Sequence, residues 1–152
     1  MYYDNSCHDY TTTGKVFKEN DFVPSKYSNE KENINPPIEI DNVPANCKSL
    51  ALIIEDADIE GHFVHWIMWN IDPTTTTINE NSCPGIQGIN SKNTNAYFGL
   101  WTQTPPSIHH YHFKVYALDT TLNMLNNSGK HALEDAMKNH IIARGELIGL
   151  YK

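Results

Sequence analysis

Apolar residues in this chain gather into short runs set between long polar stretches, a spacing that predicts many strands and few helices. The first dense run, Leu50 to Ile54, is rich in strand formers and too short for a helix. It stops at Glu55, Asp56 and Asp58, which places these carboxylates where a buried strand surfaces. A second strand is predicted over Phe63 to Ile71, with Phe63, His65, Ile67 and Trp69 on one face and Val64, Trp66 and Met68 on the other. Both faces are apolar, as in a central strand covered on two sides. A third runs from His109 to Leu118, carrying His109, Tyr111, Phe113, Val115 and Ala117 on a core-facing side and His110, His112, Lys114 and Tyr116 on the other. Ile38-Glu39-Ile40 alternates like a short strand just after Pro36-Pro37, a pair that forbids a helix there.

One helix is predicted, over Lys130 to Arg144. Leu133, Met137, His140, Ile141 and Arg144 recur at spacings of three and four, Asn126-Asn127-Ser128 offers caps, and Gly145 suits a left-handed stop. Glu146 to Tyr151 then alternates like a terminal strand. The expected class is therefore mainly β, with a C-terminal helix followed by a short terminal strand, in one domain spanning 1–152. Met1 to Gly14 reads as either a flexible lead-in or an edge strand. Asp72 to Gly99 is loop-like and rich in Asn, and long loops in compact domains tend to carry binding surfaces.

Charge and cysteine content narrow the function classes. Eleven basic residues against 18 acidic ones leave a formal net charge of −7 without a basic cluster, which argues against sequence-independent binding to nucleic acid or an anionic membrane surface. Cys7, Cys47 and Cys83 are odd in number and not at metal-ligand spacing, so they are expected to be reduced thiols in a cytoplasmic setting. No apolar run approaches the length of a transmembrane helix, and no cofactor is implied.

The candidate chemistry lies beside the acidic turn. An imidazole at His65 near Asp56 and Asp58 would change charge near neutral pH, the carboxylates favouring its imidazolium form. Taken alone, these residues are better read as a hydrogen-bonded core histidine and ordinary turn aspartates. His109, His110 and His112 do not make one metal sphere, because neighbours on a strand point to opposite faces; His110 and His112 share a face, for which a solvated surface is the simpler reading. His140 and Met137 are expected to be packed residues.

Several segments, in order, resemble the phosphatidylethanolamine-binding protein family, also called Raf-kinase-inhibitor-like proteins, in its compact bacterial and archaeal branch. They include Phe22-Val23-Pro24-Ser25-Lys26-Tyr27, Asn33-Ile34-Asn35-Pro36-Pro37, Glu55-Asp56-Ala57-Asp58, His65-Trp66, Pro105-Pro106, His109-His110-Tyr111, Tyr116-Ala117-Leu118-Asp119 and Leu147-Ile148-Gly149-Leu150-Tyr151. The resemblance implies an antiparallel β-sandwich-like fold with an anion-binding cavity for phosphate-type groups. Its lining would be Asp56, Asp58, His65, His109, Tyr111 and one of Pro105 and Pro106. In that arrangement an aspartate holds one imidazole nitrogen, and the other N–H joins the Tyr111 hydroxyl in facing the ligand. The chain departs from the family pattern at Ala57 and Glu60, where prolines are lost, in the lengthened rim from Leu100 to Thr104, at His110, and at Asn93, Ala96 and Asn139, where glycines are replaced. Trp101 is open to two readings, a roof over the cavity or a surface residue.

The resemblance implies a non-enzymatic ligand-binding protein that modulates a kinase or protease partner, and it implies a homodimer. The competing expectation is a small hydrolase using the same Asp, His and Tyr groups for acid–base or metal-assisted chemistry.

Overall fold

The computed structural model describes residues 17–101 and 108–152. The expectation for Met1 to Gly14, the prolines Pro105 and Pro106 and most of the lengthened rim lie outside the described residues.

Seven strands and one α-helix make up the described part. The strands are β1 (Ile38–Glu39), β2 (Ser49–Asp56), β3 (Phe63–Ile71), β4 (Thr77–Ile78), β5 (Ile86–Gln87), β6 (His109–Leu118) and β7 (Ile141–Tyr151), with α1 (Lys130–Met137) between β6 and β7. Five of them form one antiparallel sheet in the order β5-β3-β2-β6-β7, and β1 pairs with β4 in a small second sheet. Strand β2 lies at the centre and is buried along its whole length. That is why it reads as an unbroken apolar run rather than an alternating one.

The two faces of the large sheet carry separate cores. Leu50, Leu52 and Ile54 of β2 join Trp66, Met68, Tyr111, Phe113 and Val115 beneath the β1–β4 pair, Phe17, Val23, Tyr97 and Leu100. Ala51 and Ile53 point the other way and pack with Ile67, Trp69, Tyr116 and Leu118 under Leu133 and Met137 of α1. Burying a large apolar side chain of this kind contributes about 1.5–3 kcal/mol, so the central strand is stabilised from both sides. Along β7, residues 20–23 add a further edge: Asn20 and Val23 donate N–H groups to the Ile148 and Leu150 carbonyls, and Phe22 bridges Leu150 in parallel.

Strands β4 and β5 fall within Asp72 to Gly99, the stretch expected to be loop, and three further sequence expectations change. Strict alternation breaks in β3, where Ile54 faces Trp66 but Glu55 faces Val64, leaving His65 as the extra residue of a β-bulge. The bulge shifts the phase, so Val64, Ile67 and Trp69 share the helix-side core while Trp66 and Met68 lie in the other, where the His65 ring meets Tyr111. A second irregularity, between the Leu50–Ile71 and Leu52–Met68 pairs, coincides with the left-handed backbone of Asn70.

Strand β2 also runs further than expected. Glu55 and Asp56 belong to it and are 1% and 0% exposed, so only Asp58 lies in the turn.

The helix is shorter than expected. It ends at Met137, not Arg144, because Asn139 takes a left-handed backbone with φ 70 and the β-branched pair Ile141-Ile142 enters β7. His140 is an exposed turn residue bonded to Asp119, whereas Met137 is packed as expected. The N-cap is Gly129, with no side-chain cap from the preceding Asn-Asn-Ser.

Candidate functional site

The end of β2 brings the candidate residues together from three strands. Asp56 is paired across the sheet with Phe63 of β3 and Tyr111 of β6. It lies on the same face as Ile54 by alternation, so its carboxylate enters the core on the β1–β4 side. A bare buried carboxylate would be costly. This one accepts the His109 Nδ1–H at 2.5 Å on Oδ2 and the Asp58 backbone N–H at 2.9 Å on Oδ1. His109 is thereby fixed in rotation, with Nε2 as its remaining ring nitrogen.

His65 is held differently from the expectation. Its Nδ1–H donates to the Phe98 carbonyl at 2.7 Å, not to an aspartate. A carbonyl only accepts, so the hydrogen sits on Nδ1 and Nε2 is left as a lone-pair acceptor. That Nε2 is buried and has no hydrogen-bond partner among the described residues. Burial pushes the His65 pKa down to about 4, outweighing the opposing pull of the Phe98 carbonyl and the Asp56 charge. At neutral pH the ring is therefore uncharged, in place of the imidazolium that the acidic turn suggested.

Tyr111 neighbours both histidines, its ring centroid 5.2 Å from that of His65 and 6.3 Å from that of His109. Its hydroxyl donates to the Trp101 carbonyl at 2.6 Å and accepts the Trp101 N–H at 3.3 Å. Burial pushes its pKa well up, so it stays a phenol. Its hydrogen is committed to the rim backbone, where the sequence reading directed it at the ligand. The Trp101 ring packs edge-on against Phe63 and Phe98, both at 5.6 Å, and Lys92 Nζ lies 4.8 Å from its centroid. It therefore caps the aromatic group around His65.

Asp56, His65, His109 and Tyr111 thus form one buried constellation. Asp58 stands apart on the exposed turn, where one oxygen takes both the His110 backbone N–H and its Nδ1–H, at 2.7 and 2.8 Å. Its pKa is lowered, the His110 hydrogen bonds outweighing partial burial. The turn thus keeps an ordered tie to β6 without its two prolines. His112 bonds Glu146 instead of sharing a ligand with His110. Among the described residues no group of three or more His, Cys, Asp or Glu side chains is arranged to hold a metal ion.

Sequence reasoning missed Phe98 and Trp101 as backbone partners, since any residue type can supply a carbonyl. Gly99 carried a signal: a Cβ there would lie 2.5 Å from the Asn29 nitrogen and 2.6 Å from the Ser28 carbonyl carbon, so only glycine lets this segment approach. Two of the replaced glycines keep their backbone, Asn93 and Asn139 having φ 64 and 70. Glu55 was also missed as a structural group. It faces the helix side, buried, and accepts hydrogen bonds from Lys130 at 2.5 Å and Lys114 at 2.8 Å, with His62 Nδ1 at 3.2 Å.

Comparison with known proteins agrees with this architecture. The profile of the family described as phosphatidylethanolamine-binding protein matches residues 13–152. A UPF0098 protein of Pyrococcus horikoshii is 44% identical over 146 residues, covering 90% of this chain and 74% of the relative. One from Methanothermobacter thermautotrophicus is 38% identical over 146 residues, covering 90% and 95%. The crystal structure of a phosphatidylethanolamine-binding protein homolog from Chlamydia trachomatis superposes with a TM-score of 0.86 at 34% identity, over 94% of this chain and 95% of that one. YbcL of E. coli, described as a new member of the mammalian PEBP family, shares the fold at TM-score 0.86 and 23% identity, over 94% and 96%. With its antiparallel β architecture, late helix and terminal strand, the chain belongs to the phosphatidylethanolamine-binding protein family, in its bacterial and archaeal branch.

Proposed function

We propose that this protein is a non-enzymatic binding module for a small phosphate-type anion, held beside Tyr111 and the two imidazoles. The observation that carries the proposal is the buried pair of pinned rings, each with Nδ1 committed and Nε2 left over. Asp56 orients His109 and does not face the ligand bare, which avoids the repulsion of two anions in a low-dielectric site. His65 offers a lone pair, so the anion best suited is one that carries a proton, such as a phosphomonoester monoanion whose P–OH donates to Nε2. One of Pro105 and Pro106 would join the lining, as the family resemblance implies. A kinase or protease reading the occupied state, a homodimer and a reducing, cytoplasmic compartment belong to the same proposal and follow the family resemblance and the cysteines. Among the described residues no helix is long and apolar enough to cross a membrane.

Calorimetry tests this with phosphoethanolamine and dimethyl phosphate at pH 5.5 and 8. The monoester loses its proton with a pKa of about 6, so its affinity should fall by roughly tenfold or more at pH 8. The diester has no proton to give and should bind more weakly at pH 5.5; any pH dependence it shows reports groups of the protein. His65→Ala and His109→Ala should each abolish the monoester isotherm. Equal monoester affinity at the two pH values, or unchanged affinity in both variants, would overturn the reading.

A further inference from the structure

A hollow of about 360 Å³ opens beside Trp66 and Tyr97 and is lined by none of the candidate anion-site residues. Its volume is in the range of small-molecule sites. Among the described residues no Lys, Arg, His, Asp or Glu lines it; its polar wall consists of Asn33, Asn35, Asn81, Ser82, Cys83 and Gln87. The orientation of the key groups is set by their partners. The Asn33 side-chain oxygen accepts the Gly99 N–H at 2.7 Å, and the Gln87 oxygen accepts the Trp66 indole N–H at 2.6 Å. Because backbone and indole N–H groups only donate, each amide must present its oxygen to them, leaving the Asn33 and Gln87 NH2 groups as donors. Neither NH2 has a hydrogen-bond partner among the described residues. Asn35, by contrast, is spent: its oxygen accepts the Ser82 N–H and its NH2 donates to the Asn79 and Pro36 carbonyls. The Ser82 hydroxyl gives its hydrogen to the Asn79 carbonyl at 2.7 Å, so toward a ligand it is an acceptor.

We infer that this hollow is a second binding site, for an uncharged amide-bearing ligand whose carbonyl is taken by the NH2 groups of Gln87 and Asn33 and whose N–H meets Ser82. An anion finds no cation in the lining, and the protein carries a net charge of −7. A cation finds no carboxylate there. Desolvating either without a partner is costly, whereas an amide matches both donors and acceptor. Ile34, Ala96 and the aromatic walls supply the apolar contact.

The test uses the full chain, labelled with 15N, and N-acetylalanine methylamide as probe, with acetate as the charged control. The neutral probe should shift the Trp66 indole and the Gln87 and Asn33 NH2 signals saturably and slow iodoacetamide alkylation of the exposed Cys83; acetate should do neither. Gln87→Glu keeps the oxygen that Trp66 needs and removes the donor, so affinity should fall about tenfold, the worth of one good hydrogen bond, with the Trp66 signal in place. Asn33→Asp repeats the test at Gly99 should the first variant fold poorly. Absence of saturable shifts, equal binding of acetate, or undiminished affinity in a folded variant would overturn the inference. The phosphoethanolamine isotherm reads the other site, so failure here leaves that proposal standing.

Discussion

Replacing Glu55 by Gln should destabilise this protein by about 2–3 kcal/mol, a loss that follows from the cluster around it. The side chain is 1% exposed, and burial alone would raise its pKa, yet the Lys114 and Lys130 ammonium groups bring it from 4.5 down to about 2. A fall of that size corresponds to roughly 3 kcal/mol of stability at neutral pH. The two lysines keep 28% and 20% of their side-chain surface in water and can re-solvate in the variant, which trims the expected loss to about 2–3 kcal/mol. For a domain of this size that is a drop of roughly 5–10 °C in Tm. The pH dependence has a definite sign. Because the folded pKa lies below the unfolded one, the stabilisation is complete above about pH 4.5 and is lost as pH falls toward 2. Urea unfolding of both proteins at pH 7 and at pH 3 measures this. The gap in unfolding free energy should be largest at pH 7 and distinctly smaller at pH 3. A variant within about 0.5 kcal/mol of the parent at pH 7, the usual range for an inconsequential surface change, would refute the reasoning.

Four further outcomes are expected. His65 is held neutral down to about pH 4, so between pH 6.5 and 4 the unfolded chain takes up a proton that the folded chain refuses; stability should fall by roughly 3 kcal/mol across that window, and His65→Gln should remove this slope in urea midpoints. Tyr111→Phe strips the Trp101 backbone of both hydrogen bonds and should cost about 1–3 kcal/mol, read by thermal unfolding; an unchanged Tm would show that the rim does not rely on them. Gly99→Ala forces a Cβ into the Asn29 and Ser28 backbone and should cost about 1–3 kcal/mol, with loss of the slow exchange expected for the Gly99 amide; full protection in the variant would contradict the contact. Asn139→Ala should lose about 1–2 kcal/mol in its left-handed position while Asn139→Gly is close to neutral, and equal Tm values for the two would show that the left-handed backbone of Asn139 does not stop the helix.

Much of the architecture was legible because strand patterns are local. The β3 and β6 spans follow from runs bounded by polar turns, and the core face of β6 follows from alternation alone. The bulge at His65 was not legible: a period-two reading assumes one residue per step, and an extra residue depends on how Glu55 and Ile54 pair with β3. The helix was overextended because His140, Ile141 and Arg144 continue a helical spacing by coincidence, while Asn139 and the β-branched pair after it were the opposing signal. Within the site, residue types pointed to Asp56, His65, His109 and Tyr111, but their partners are set by tertiary packing. His65 bonds a carbonyl 33 positions away, and Glu55 meets a lysine 75 positions away, neither of which leaves a trace in local sequence.

The adjacent carboxylates at the end of β2 also bear on how the strand finds its place. A strand with apolar residues on both faces has no hydrophobic reason to prefer one alignment over another shifted by a single step. Glu55 and Asp56 supply the missing preference, since the first is matched to lysines on the helix side and the second to an imidazole on the opposite side. A one-step slip would exchange them, stranding two charges at once, so the acids act as an electrostatic key that rejects misaligned sheets during folding.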